Sequence, residues 1–355
     1  MERHIAGIQQ VGIGVANVNH AFNWYKEMFG MDIIVFNDSA EAKLMTRYTG
    51  DRVHARTAYL AVNMAGGGGF EIWQYTSRTP EAAKHAITLN APGIVAVKMK
   101  CFDIEKSIAY MRSKNVTILQ DVANDPKGKR HFWMKDPYEN MFQVVENDFW
   151  FVHPTDNPAR TGGVAGVVIV VSNMDASLKF YKEVLNYGDV VYDKTGVFED
   201  LKSVEGGTAT LRRALLTQDI PVKGPFSRML GPSYIELIET PASKTAQHIF
   251  TDRYWGDLGY IHLCYDITDM HTHEQLCNKF GYPLTVNSKQ KFDMGSASGQ
   301  FAYNEDPDGT LIEYVQTFKL PLLKKLGLYL DLRKRDNSKP LPDWMLKTLR
   351  FSRVK

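Results

Sequence analysis

At 355 residues the chain is long for a single hydrophobic core and suits two domains of ordinary size. With 44% hydrophobic and 12% aromatic residues it can bury substantial cores, which excludes disordered and fibrous classes. The net charge of +2 conceals an asymmetry: residues 319–355 hold eleven Lys and Arg against three Asp, so the remaining body is mildly acidic and no nucleic acid is expected to bind it.

Met1-Glu2-Arg3-His4 opens without the apolar stretch of a signal peptide, and no run of about 18 apolar residues follows, so no transmembrane segment is expected. Cys101, Cys264 and Cys277 are widely spaced and odd in number. That suits a reducing compartment, and a cytoplasmic location is the expectation.

The first element alternates Val11, Ile13 and Val15 with smaller residues, a period of two and hence a strand. Asn17 then offers an N-cap, and Val18, Ala21, Phe22, Tyr25, Met28 and Phe29 form one helical stripe that Gly30 stops. Strands are predicted at 32–36, 56–62 and 69–74, giving a strand-helix-three-strand unit over about 8–74. The unit recurs over about 94–147, 164–240 and 259–316, an internal repeat. Gln10-Val11-Gly12-Ile13 reappears as Gly166-Val167-Val168-Ile169, and Trp24-Tyr25-Lys26-Glu27 as Phe180-Tyr181-Lys182-Glu183. The second and fourth copies begin at Ala96-Val97-Lys98 and His262-Leu263-Cys264. They end on Asp136-Pro137-Tyr138-Glu139 before Gln143 and on Asp306-Pro307-Asp308-Gly309 before Glu313.

Between the halves, 147–163 reads as a linker with Pro154, Asp156, Asn157 and Pro158. Domain boundaries follow at 1–150, 160–317 and 318–355. The run Gly66-Gly67-Gly68-Gly69 precedes a strand rather than a helix, so it reads as a hairpin connection, not a phosphate loop. His271 and His273 read as a solvated helix face. The basic tail contains two amphipathic pieces, 320–332 and 344–351, expected to be helical. They read as an arm packing Leu323, Leu326, Leu330, Trp344 and Leu349 onto the body, with a membrane surface or a partner as the alternative.

These repeated units resemble the vicinal oxygen chelate superfamily, which includes glyoxalase I, bleomycin-resistance proteins and extradiol dioxygenases. The motifs that carry the likeness are the helix ending in Tyr-Lys-Glu and Asp306-Pro307-Asp308-Gly309 with Glu313 beyond it. The resemblance implies an α+β fold: four βαβββ modules forming two cupped mixed β-sheets with helices outside, plus the basic helical C-terminal tail. It also implies one metal ligand from the first strand and one from the last strand of each module.

Those positions are Gln10 and Glu71, Ala96 and Gln143, Gly166 and Glu236, His262 and Glu313. Alanine and glycine cannot ligate, so at most one site is intact. If neighbouring modules pair, Glu236 becomes an alternative ligand beside His262 and Glu313. If the outer modules pair, Gln10, Glu71, His262 and Glu313 converge, the set the resemblance implies for glyoxalase I; this pairing is preferred because it sorts intact positions into one cup. Two carboxylates, an imidazole and an amide oxygen suit one divalent ion among Zn, Ni, Co, Mn and Fe(II). Taken singly, each has a plainer reading as a solvated glutamate, a core histidine or a hydrogen-bonding glutamine.

The expected activity is that of a metal-dependent isomerase, epimerase or lyase, with Glu313 and Glu71 as candidate bases acting on a small-molecule substrate with adjacent oxygens. Gly14 and Leu311 stand where the resembled glyoxalase carries a glutathione-contacting arginine and a tryptophan, which points to another substrate. Arg47, Arg52 and Arg56 could bind an anion on it, against the plainer reading as surface charges. An extradiol-type Fe(II) dioxygenase and a metal-free binding or resistance protein are the alternatives. Oligomeric state stays open between a monomer building both cups and a homodimer.

Overall fold

The computed structural model describes residues 2–154, 157–289, 292–293, 298–323 and 328–354; Asp156 of the linker and Leu326 of the tail lie outside them. Module one comprises β1 (Ile5–Gly14), α1 (Val18–Phe29), β2 (Ile33–Glu41), β3 (Ala55–Val62) and β4 (Gly69–Tyr75). Module two comprises β5 (Gly93–Cys101), α2 (Ile104–Ser113), β6 (Thr117–Asn124), β7 (Arg130–Lys135) and β8 (Met141–Glu146). Module three follows with β9 (Thr161–Val170), α3 (Met174–Leu185), β10 (Asp189–Gly196), β11 (Leu211–Thr217), the single turn α4 (Ser227–Leu230) and β12 (Tyr234–Glu239). Module four has β13 (Gly259–Ile267), α5 (Met270–Phe280), β14 (Val286–Asn287), β15 (Phe292–Asp293), β16 (Ser298–Glu305) and β17 (Leu311–Leu323).

Each module starts alike for a local reason. Asn17 accepts a hydrogen bond from His20 N at 2.9 Å, and Asp103, Asn173 and Asp269 cap the equivalent helices. Helix α1 stops at Gly30, whose φ of 66° is left-handed, and α3 stops the same way at Asn186 with φ of 62°.

Outer modules pair with each other and inner modules with each other. One sheet runs β14-β16-β17-β13-β1-β4-β3-β2 and the other β10-β11-β12-β9-β5-β8-β7-β6. Each sequence half therefore contributes one module to each sheet. The seams are antiparallel: Gly12 lies opposite His262 and Gln10 opposite Cys264, while Ala96 lies opposite Val168 and Lys98 opposite Gly166. Consecutive modules are tied through their helices instead. Tyr25 donates to Asp136 at 2.7 Å and Tyr181 to Asp306 at 2.9 Å, so the recurring Tyr-Lys-Glu and Asp-Pro motifs bind one another. Both aspartates are buried; burial pushes them up to about 6 and about 7 despite the donors around them.

A continuous core joins α1, α2, α3 and α5 to one face of both sheets, taking Val11, Ile13, Phe70, Ile72, Leu263 and Ile312. Strand periodicity then turns Gln10, Glu71, His262 and Glu313 to the opposite face, inside the outer cup. No helix among the described residues is long and apolar enough to cross a membrane.

Two expectations are corrected. Only His271 of its pair is exposed. His273 is fully buried, with its ring 4.0 Å from that of Tyr314 and Nδ1 3.1 Å from Arg3 Nη1, because a spacing of two turns one ring inward. The tail is not helical in its first piece. Leu320 continues β17, and β18 (Leu328–Asp331) folds back with Leu330 opposite Leu320. Pro321, lacking an N–H, suits a strand edge better than a helix interior. Among the described residues of the tail, helix is confined to 3₁₀ segments at Leu332–Lys334 and Lys347–Ser352 and the short α6 (Asp343–Leu346).

Candidate metal centre

Four side chains from four strands meet on the concave face of the outer cup. His262 Nε2 lies 3.1 Å from Glu313 Oε2 and 3.4 Å from Glu71 Oε2, and Gln10 Nε2 lies 3.4 Å from Glu313 Oε2. One donor atom from each of Glu71, His262 and Glu313 falls within 4.8 Å of the others. Glu236 does not join them; it lies in β12 of the other sheet.

The group is enclosed. His262 is fully buried, and Gln10, Glu71 and Glu313 are nearly so. Trp255 stacks parallel to the His262 ring at 6.2 Å and Tyr303 meets it edge-on at 5.6 Å. Gly12, opposite His262 across the seam, is required by contact: a Cβ there would stand 2.4 Å from His262 Cε1. Burial disfavours the His262 imidazolium, but the Glu313 and Glu71 charges outweigh it and raise the ring to about 9. Burial likewise opposes the Glu313 carboxylate, and His262 overrides it, holding Glu313 below its ordinary value. Burial and the Glu313 charge push the Tyr303 phenol well above the usual range.

The donor chemistry fits a divalent cation. Gln10 Oε1 is buried without a hydrogen-bond partner, and neither His262 ring nitrogen makes a hydrogen bond. A buried acceptor, orphaned as Gln10 Oε1 is, costs stability unless something positive meets it. Two carboxylates, an imidazole and an amide oxygen balance a dication without a thiolate, and the His262–Glu313 and His262–Glu71 separations of 3.1 and 3.4 Å suit atoms sharing one ion with bonds of about 2.1 Å. Cys264, the nearby thiol, is pushed well up by burial and by Glu313.

A cavity of about 490 Å³ abuts this group, with Gln10, Glu71 and Glu313 in its wall. Arg56 reaches it and pairs with Asp38 at 2.9 Å; Arg47 and Arg52 are exposed and do not line it.

The inner cup holds a different arrangement at equivalent positions. Strand register equates Lys98 with Cys264, Gln143 with Glu313 and Glu236 with Glu71. Lys98 Nζ donates to both Gln143 Oε1 and Glu236 Oε2, so an ammonium stands between the two last-strand side chains. Arg213 also pairs with Glu236, and with Asp200 at 2.6 Å; His131 Nε2 lies 3.3 Å from Asp200. Burial opposes the Glu236 charge, yet Arg213 and Lys98 hold it far below the ordinary range. Gly166, the equivalent of Gln10, has no room for a side chain, since a Cβ would stand 2.1 Å from Tyr234 O. Sequence reasoning missed Lys98, Arg213, Gly12, Trp255 and Tyr303. Lys98 had a signal: it aligns with Cys264 in the repeat frame, two residues past the ligand position.

Residues 7–144 match the family model described as the Glyoxalase/Bleomycin resistance protein/Dioxygenase superfamily. Among solved structures, glyoxalase I from Zea mays is similar at 14% identity, covering 89% of this chain and 92% of that one, with a TM-score of 0.53. A "putative dioxygenase" from Bacillus subtilis subsp. subtilis str. 168 is similar at 10% identity over 100% of this chain and 98% of that one, TM-score 0.57. At such identities the structures show a shared fold. No curated protein matches the sequence significantly. The family model covers residues 7–144 alone, and over the rest of the chain the likeness is one of fold.

Proposed function

We propose that the whole chain belongs to the glyoxalase/bleomycin resistance/dioxygenase superfamily and is a metal-dependent isomerase, epimerase or lyase that removes a proton beside a carbonyl. Its substrate is a small molecule with two adjacent oxygens. Gln10, Glu71, His262 and Glu313 hold one divalent ion, with Zn, Ni, Co, Mn and Fe(II) as the candidates. The observation that carries this reading is the convergence of these four polar side chains, with Gln10 Oε1 unpartnered and with Gln10, Glu71 and Glu313 in the wall of an adjoining cavity.

Bound there, the ion supplies Lewis-acid polarisation of the adjacent oxygens. Glu313 is the first candidate base and Glu71 its counterpart; both reach the cavity, and Glu313 is held as a carboxylate at neutral pH, ready to accept a proton. His262 lies outside the cavity lining, so it orients the carboxylates rather than meeting the substrate. Trp73, Trp255 and Tyr303 exclude water from the side where the proton moves. The donor group contains one imidazole, whereas iron oxygenation generally uses two with a carboxylate, which ranks the dioxygenase reading second.

Metal analysis of protein purified without a histidine tag tests the reading. About one equivalent of metal is expected in the wild type, with loss in both His262→Ala and Glu313→Ala. Full metal content in both variants, or none in the wild type after supplementation, would overturn it.

A further inference from the structure

Two separate apolar clusters meet the cavity. One surrounds the donor group with Met45, Trp73, Trp255 and Tyr303. The other forms where the described residues of the C-terminal arm, 319–323 and 328–354, meet the cup: Leu320 and Leu349 of the arm pack with Val62 and Met229, and all four line the cavity. The arm is anchored. Leu341 N donates to Pro225 O and Val354 N to Asp32 O, both at 2.8 Å, and Arg228 grips Asp343 with two bonds of 3.0 and 3.1 Å. Leu332, Leu341 and Leu346 are buried beneath it, while Trp344 and Phe351 are 67% and 78% exposed. The arm thus gives leucines to the cavity and aromatics to solvent.

Among the described residues, two cationic side chains line the cavity, Arg56 and Lys43. Arg56 pairs with Asp38 at 2.9 Å and Lys43 with Glu41 at 3.3 Å. An anionic group held beside Leu320, Leu349, Val62 and Met229 would therefore be buried among leucine, valine and methionine side chains, while Lys43 stands in solvent with its side chain 72% exposed. Burying a charge that way is strongly unfavourable. A cavity of about 490 Å³ takes a molecule of one or two rings.

We propose that the C-terminal arm is the specificity wall of the outer cup, and that it selects a substrate whose end remote from the adjacent oxygens is apolar and uncharged. The proposal rests on the metal-centre reading only in assigning the oxygens to the Glu71–Glu313 end.

The test titrates the full chain, as purified and after chelator dialysis, with 4-phenylphenol and with biphenyl-4-carboxylate, following tryptophan fluorescence and calorimetry. Metal content is measured on the same samples. The neutral probe is expected to bind both forms, and the carboxylate to bind the dialysed form at least about 100-fold more weakly. Leu349→Ala and Leu320→Ala should each weaken the neutral probe about tenfold, as expected for side chains partly covered by the ligand. Leu349→Met should bind it normally, and so should Trp344→Ala, which changes an exposed arm residue. Thermal melts establish that each variant is folded. Equal affinity for both probes in dialysed protein, wild-type affinity in both leucine variants, or equal loss in Trp344→Ala would overturn the proposal. Absence of metal from the wild type even after supplementation sinks the metal-centre reading but leaves this probe comparison intact.

Discussion

Replacing Lys98 with methionine removes the ammonium from the inner cup while keeping the length of the chain. Glu236 is fully buried and shared between Lys98 and Arg213, so the substitution leaves a buried carboxylate with one cation instead of two. Breaking a buried pair by removing one partner costs about 3–5 kcal/mol. Because Arg213 and the Tyr192 hydroxyl, 3.2 Å away, still face Glu236, the expected loss is near the lower end, about 3 kcal/mol. Glu236→Gln alone should cost a similar amount, since Lys98 then loses its carboxylate partner and Arg213 keeps Asp200. The double variant removes both charges and leaves Arg213 with Asp200, a balanced pair. Its cost should fall short of the sum of the singles by at least about 1 kcal/mol. Urea denaturation followed by fluorescence and circular dichroism measures all four proteins. Additive costs, or a Lys98→Met variant within about 0.5 kcal/mol of wild type, would refute the account of this ammonium as the cup's internal cation.

Gly12→Ala keeps all four donors yet pushes a methyl into the His262 ring, so metal content should drop at least about tenfold while the fold loses about 1–3 kcal/mol; undiminished metal in a folded variant contradicts the packing argument. In metal-free protein the stabilisation difference between wild type and His262→Ala should depend on pH. His262 is raised on folding, so its contribution is full below about 6.5 and lost as pH rises through about 9. Glu313 is lowered, so its share is present above its ordinary value near 4.5 and lost on acidification. A flat difference between pH 5 and 10 would exclude the coupling. Tyr25→Phe and Tyr181→Phe each remove a donor from a buried aspartate that keeps other partners, so each should cost about 1–2 kcal/mol in melting experiments; a neutral effect in both would show that these inter-module bonds do not bind the modules together.

The repeat made much of this fold legible. Caps at Asn17, Asp103, Asn173 and Asp269 and the period of two in each first strand are local signals, and they mark module starts without reference to distant contacts. The convergence of Gln10, Glu71, His262 and Glu313 was readable for another reason: comparing copies separates ligand-capable positions from alanine and glycine. What could not be read were residues whose role is set by a neighbour across a seam. Gly12 looks like any strand glycine until His262 is placed opposite it. Lys98 looks like a solvated strand residue until Gln143 and Glu236 close over it. The tail misled because leucines spaced over 320–332 fit a helix stripe, while the free edge of β17 offered a strand partner that no local pattern encodes.

The seam between β1 and β13 also sets an order of events during synthesis. Strand β9 needs only β5, already made, for the inner sheet to begin zipping while the ribosome is still at work. Strand β1, the first to emerge, must wait for β13, more than two hundred residues later, before its free edge is covered. Until then Gln10 and Glu71 sit on an incomplete sheet with an open edge, a stage at which a nascent chain is prone to mispair. A chain that stalls before β17 can have assembled one cup, but its donor group lacks Glu313.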